Sequence, residues 1–170
     1  MKCNRKWTYK ALVAQAAGVF VLAGLLLLPI PVASQGDSAT VQVFRVIDGD
    51  TVEVCCVFGD QIVVHYIGID TPETHHPMMG VEPFGKEAAE ANRKLVDGKT
   101  VTLEFDVQQF DTNGNTLAYV YLQDGTFVNA WLVENGYAMV MTVPPNVKHQ
   151  ELFLKLQRQA KEAKRGLWTK

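Results

Sequence analysis

The chain has 170 residues, enough for one domain with a sizeable core plus an appendage, and a formal net charge of −2. That figure hides three zones: four basic and no acidic residues before Ala11, five basic against 15 acidic from Thr40 to Val147, and seven against two from Lys148 to Lys170. A central stretch this acidic repels a polyanion and argues against tight nucleic-acid binding over most of the surface, while three cysteines do not make a disulfide framework.

Residues 1–34 read as an export segment. Lys2, Arg5, Lys6 and Lys10 precede an apolar run from Ala11 to Ala33 broken only by Gln15 among strongly polar residues, with Pro29 and Pro31 near its end. The run exceeds the 7–15 residues of an ordinary signal-peptide core and approaches the ~20 that span a bilayer. Trp7 and Tyr9 stand where interfacial aromatics of a spanning helix would lie. The expectation is a single-pass membrane anchor with the basic flank inside and the body on the extracytoplasmic (periplasmic or extracellular) side; the alternative is secretion after cleavage near Ser34. Residues 35–40 read as a polar linker, and 41–170 as the folded domain.

Within that domain, Val41–Ile47 alternates at period two and Asp48-Gly49-Asp50 signals a turn. Thr51–Phe58 and Gln61–Ile69 follow as strands, with Gly59-Asp60 turning between them. Cys55 and Cys56 would point to opposite faces of a strand, and two buried thiols are preferred over a strained vicinal disulfide. No zinc-ligand spacing is present, and His75-His76 reads as a solvated loop pair. Ala88, Ala89, Asn92 and Leu95 recur at helical spacing within Phe84–Val96, which Gly98 stops. Val101–Val107 and Thr116–Leu122 are strands joined by the polar turn Asp111–Asn115. A short helix is expected over Val128–Glu134. A longer one after Pro145 would carry Leu152, Leu156 and Ala160 on one face and stop at Gly166. Five strands, a helix after the third and two closing helices predict an α+β domain: a closed five-stranded barrel of the oligonucleotide-binding type with three helices.

Four carboxylates, Asp48, Asp50, Asp70 and Glu73, lie in loops that end apolar runs, the donor type a hard divalent cation needs. In order and spacing, Ile47-Asp48-Gly49-Asp50-Thr51, Asp70-Thr71-Pro72-Glu73-Thr74, Phe84-Gly85-Lys86-Glu87-Ala88, Leu117-Ala118-Tyr119-Val120, Val128-Asn129 and Gly166-Leu167-Trp168 resemble the staphylococcal-type thermonucleases from about Val41 to Trp168. The resemblance implies metal-ligand roles for the Asp50 and Asp70 carboxylates and the Thr71 carbonyl, with Asp48 as a supporting acid. It makes Glu73 the residue that positions or deprotonates a calcium-bound water, chemistry a carboxylate can perform.

The family's two phosphate-gripping arginines fall at His65 and Asn115 in this chain, and neither is a permanent cation. Loss of one preorganised stabiliser costs about 10²–10³ in rate. A lysine–tyrosine pair of the family's turn stands here as Thr112-Asn113, and two tyrosines after the short helix stand as Met141 and Val143, so base-stacking surface is lost as well. The expectation is a membrane-anchored pseudoenzyme: a nuclease fold with the acids kept and Glu73 vestigial, inactive or weak as a phosphodiesterase, binding Ca²⁺ weakly, and serving as a structural or interaction subunit of a membrane protein complex. The alternative is a calcium-dependent secreted or anchored nuclease of DNA or RNA.

Overall fold

A computed structural model of the chain describes residues 38–55, 61–74 and 82–169. The expected anchor, Cys3, Cys56 and the His75-His76 pair lie outside them. Among the described residues no helix is long and apolar enough to cross a membrane.

Strand β1 (Ser38–Asp48) begins three residues earlier than the alternation predicts, so the linker over 35–40 is corrected at its end. Ser38, Ala39 and Thr40 pair with Glu104, Leu103 and Thr102. Here backbone pairing extends the strand where side chains give no apolar signal. Strands β2 (Thr51–Cys55), β3 (Gln61–Tyr66), β5 (Thr100–Glu104) and β6 (Thr116–Leu122) complete the barrel in the order β1-β2-β3-β6-β5. The β3–β6 pairing is parallel and the others antiparallel. Register shifts after Val43 and Val46 bend β1, which lets one strand serve both β2 and β5. Val43, Val52, Val54, Val64, Val101 and Val120 fill the interior, each at most 1% exposed. Their β-branched shape suits a pleated, enclosed wall.

The expected strand Gln61–Ile69 breaks in two. Gly68 takes φ +81°, and a Cβ there would sit 2.7 Å from Phe153, so only glycine makes this turn. Beyond it, β4 (Ile69–Asp70) leaves the barrel and pairs with β7 (Met139–Val140). The strand expected to reach Val107 ends at Glu104, where Asp106 turns its carboxylate onto the Val107 amide.

Helix α1 (Gly85–Val96) packs against β1 through Ala88, Ala89, Ala91, Asn92 and Val96, small enough at three positions for close approach. Helix α2 (Val128–Glu134) buries Val128, Asn129, Leu132 and Val133. Helix α3 (Gln150–Glu162) packs on α2, followed by a 3₁₀ turn at Gly166–Trp168. The face of α3 is corrected: Phe153 (1% exposed) is its anchor beside Ala160, whereas Leu152 is 40% exposed. Phe153 meets the rings of Tyr119 and Phe127 at 6.3 and 5.5 Å, and that aromatic cluster sets the helix rotation. Cys55 is disulfide-bonded, which corrects the buried-thiol expectation for that residue. It stands half-buried at the end of β2.

Candidate nuclease-type site

The β1–β2 turn carries Asp48, Gly49 and Asp50, and the segment after β4 carries Asp70 to Thr74. Two carboxylates tie these loops together. Asp50 Oδ2 accepts from the Thr71 amide at 3.2 Å, and its Oδ1 accepts from the Thr51 hydroxyl at 3.1 Å. Asp48 Oδ2 accepts from the Thr74 amide and hydroxyl at 3.0 and 3.3 Å, while its Oδ1 holds the Gly49 amide. The approach is close enough that a Cβ on Gly49 would lie 2.6 Å from Thr71 Oγ1 and 2.9 Å from Ala88 Cβ. Glycine is required there for space.

Glu73 is held through its backbone: its amide donates to Glu82 Oε2, and its carbonyl accepts from the Glu82 amide at 2.9 Å. Beneath the turn, Asn92 (0% exposed) donates to the Asp48 carbonyl and accepts from the Tyr66 hydroxyl. Asp48, Asp50, Thr71 and Glu73 are thus brought to one end of the barrel by two loops stitched to each other and to α1.

Asp70 is held above the usual carboxylate range, first by burial and then by the charge of Asp50, with His65 opposing. His65 lies on β3 with Nε2 3.6 Å from Asp50 Oδ2, longer than a hydrogen bond but within ion-pair reach. Asp50 holds this imidazole above its ordinary range against the effect of burial, and Asp111 and Asp70 add to the rise. Asn115 is committed elsewhere. Its Nδ2 donates to Asp111 Oδ2 at 2.8 Å, and Asp111 Oδ1 accepts from the amides of Asn113 and Asn115. Burial raises Asp111, but these hydrogen bonds outweigh it and hold the group below its ordinary range.

The donors suit a hard cation in type. Asp50 and Asp70 supply carboxylate oxygens, and the Thr71 hydroxyl is buried without a hydrogen-bond partner. Among the described residues no cluster of three or more His, Cys, Asp or Glu side chains is arranged for a metal. A cation here would therefore rest on two carboxylates, Thr71 and water, consistent with calcium's taste for mixed oxygen ligands.

Sequence reading missed Asp111, Asn92 and Glu82. Asp111 follows from its turn, since aspartate before Asn-Gly caps its own backbone. Asn92 and Glu82 carry no local signal, because their partners are distant in sequence.

The sequence profile described as "Staphylococcal nuclease homologue" matches residues 63–170. The chain is 39% identical over 153 residues to the thermonuclease of Staphylococcus hyicus, covering 90% of this chain and 85% of that protein. It is 38% identical over 136 residues to the thermonuclease of Staphylococcus intermedius, covering 80% and 79%. With endonuclease YncB of Bacillus subtilis it shares 40% identity over 128 residues, 74% of this chain and 60% of that protein. With the five-stranded barrel, the three helices and the profile match over more than half its length, the chain belongs to the staphylococcal nuclease homologue family.

Proposed function

We propose that this chain is a membrane-anchored, exported domain of the nuclease family that keeps the acidic half of the site and has lost the phosphate-gripping half. It then serves as a structural or interaction subunit of a membrane complex and not as an efficient nuclease. The observation that carries this reading is the state of the two positions where the family's arginines fall. His65 sits against Asp50, and Asn115 is spent on Asp111. Neither holds a permanent positive charge toward a phosphate, and preorganised charge of that kind is where most of the acceleration resides.

Calcium, when bound at Asp50, Asp70 and Thr71, would supply the charge that polarises a water and an oxyanion. The chain's own contribution is positional. Asp48 and Asp50 fix the loop bearing Thr71 to Thr74, and Glu82 holds the Glu73 backbone.

The test is cleavage of single-stranded DNA with calcium by the full chain beside the double variant His65→Arg, Asn115→Arg. The variant is expected to be at least ~10³-fold faster, from two restored stabilising contacts; equal rates would overturn the reading. N-terminal sequencing of protein taken from its native membrane tests the anchor, with a start at or near Met1 expected and a start at Gln35 counting against it.

A second reading, a calcium-dependent nuclease of DNA or RNA with an altered phosphate site, is favoured by one observation. The loops of Asp48, Asp50 and Glu73 remain fully stitched, as hydrolysis would require, and the relatives bear the names thermonuclease and endonuclease. Brisk cleavage by the natural chain would establish it.

A further inference from the structure

Beside the acidic loops runs a mostly apolar groove of about 350 Å³, with Gly68, Ile69, Leu117, Met141 and Val143 among its lining residues and His65 and Asp111 as polar members. Its two walls are clipped together by a buried side chain. Asn146 Oδ1 accepts from the Gln108 amide and its Nδ2 donates to the Gln108 carbonyl, both at 2.8 Å. The groove is therefore preformed. Two of its lining residues, Met141 and Val143, are 53% and 56% exposed, and on the adjoining Gln108 segment Val107 and Phe110 are 74% and 59% exposed. Exposed apolar side chains concentrated on two adjoining segments mark a contact surface more often than a bare one.

The electrostatics narrow the occupant. Asp111 lines the groove, His65 beside it has Nε2 3.6 Å from Asp50 Oδ2, and no lysine or arginine among the described residues forms an ion pair with Asp50, Asp70 or Asp111. A polyanion would meet carboxylates here with no stacking ring at Met141, Val143, Thr112 or Asn113. A chain bearing its own cation beside apolar side chains meets complementary chemistry at both ends.

We propose that this groove docks an extended peptide segment of a partner protein in which apolar residues flank an arginine or lysine, the apolar side chains resting on Met141 and Val143 and the cation meeting Asp111, the carboxylate that lines the groove. The proposal rests on the interaction-subunit reading and gives that subunit its recognition site.

The probe is a labelled peptide of sequence Leu-Val-Arg-Leu-Val-Arg, titrated into the full chain in detergent while the methyl resonances of Met141 and Val143 are followed. Three controls accompany it: glutamate for arginine, serine for the apolar residues, and oligothymidylate. The arginine peptide is expected to bind at least ~10-fold tighter than either control peptide, a difference that burial of two apolar side chains or one charge pairing can supply. It should shift both methyls. Met141→Ser with Val143→Ser, and separately Asp111→Asn, are each expected to weaken it by ~10-fold or more. The two apolar positions are exposed, so an unchanged melting curve checks that the fold persists.

The proposal is overturned by equal binding of the glutamate peptide, by oligothymidylate taking the groove instead, or by no methyl shift up to ~1 mM peptide. Concentration-dependent self-association that perturbs the same methyls and excludes the peptide would also overturn it, assigning the groove to a second copy. The cleavage assay separates this proposal from the reading beneath it. Brisk DNA hydrolysis with the peptide still held removes the reading and leaves the groove. Slow hydrolysis with no peptide response does the reverse.

Discussion

At the scale of single residues, the site is a problem of charge placed without compensation. Asp70 is raised by burial and by Asp50, so its ionised form is disfavoured in the fold. Replacing Asp70 with asparagine is expected to raise the melting temperature in chelator, because a buried like-charged group is removed, and to abolish any rise on adding calcium. Binding to the folded state alone stabilises by about 2.7 kcal/mol at a hundredfold excess over Kd. Melting both proteins with millimolar calcium and with chelator checks this, and a natural chain unmoved by calcium would reduce the acids to structural loop residues. Gly49 makes a simpler case. Its Cβ would press on Thr71 and Ala88 at 2.6 and 2.9 Å, so Gly49→Ala is expected to cost ~1–3 kcal/mol by overpacking, measured by urea unfolding.

At the scale of elements, buried asparagines join the barrel to its helices. Asn129 on α2 accepts from the Val120 amide and donates to the Ile67 carbonyl, both at 2.9 Å, and is fully buried. It links β6 to the turn after β3, and so fixes α2 against the strands that carry His65 and the acidic loop. Asn129→Ala is expected to cost about 1–3 kcal/mol for each backbone group left unpaired, and double-mutant cycles with Asn92→Ala, which acts at α1, should be close to additive. Helix α3 depends on Phe153: truncation to alanine is expected to lose ~3–5 kcal/mol, whereas Leu152→Ala, at an exposed position, should lie within about 0.5 kcal/mol of the parent. A comparable cost for the two leucine and phenylalanine truncations would mean that the helix is rotated from the orientation described.

At the scale of the whole molecule, two charge clusters at different places oppose each other in pH dependence. Burial pushes Glu104 up, but Lys148 and then His149 outweigh it and hold the carboxyl below its ordinary range. A depressed carboxylate gives stability that is present above its unfolded pKa and lost as pH falls through the folded one. His65 is raised above 6.5 by Asp50, so its contribution is complete below 6.5 and disappears as pH rises through the folded value. Stability is thus expected to fall on the acid side in a way that Lys148→Met reduces, and on the alkaline side of 6.5 in a way that His65→Gln reduces, both read from melting temperatures across pH. Much of this molecule was legible in the residues alone. Period-two alternation, Gly-bounded helices and the ordered Asp-Gly-Asp and Asp-Thr-Pro-Glu segments each act through near neighbours, and they announced the barrel, its three helices and the acidic loops. Tertiary structure decided the rest. The extension of β1 through Ser38, the departure of β4 at Gly68, the choice of Phe153 over Leu152, and the commitment of Asn115 to Asp111 and of His65 to Asp50 depend on which surfaces meet in space. Pairing, packing and Coulomb energy between residues far apart in sequence settle such choices, and no local pattern carries them.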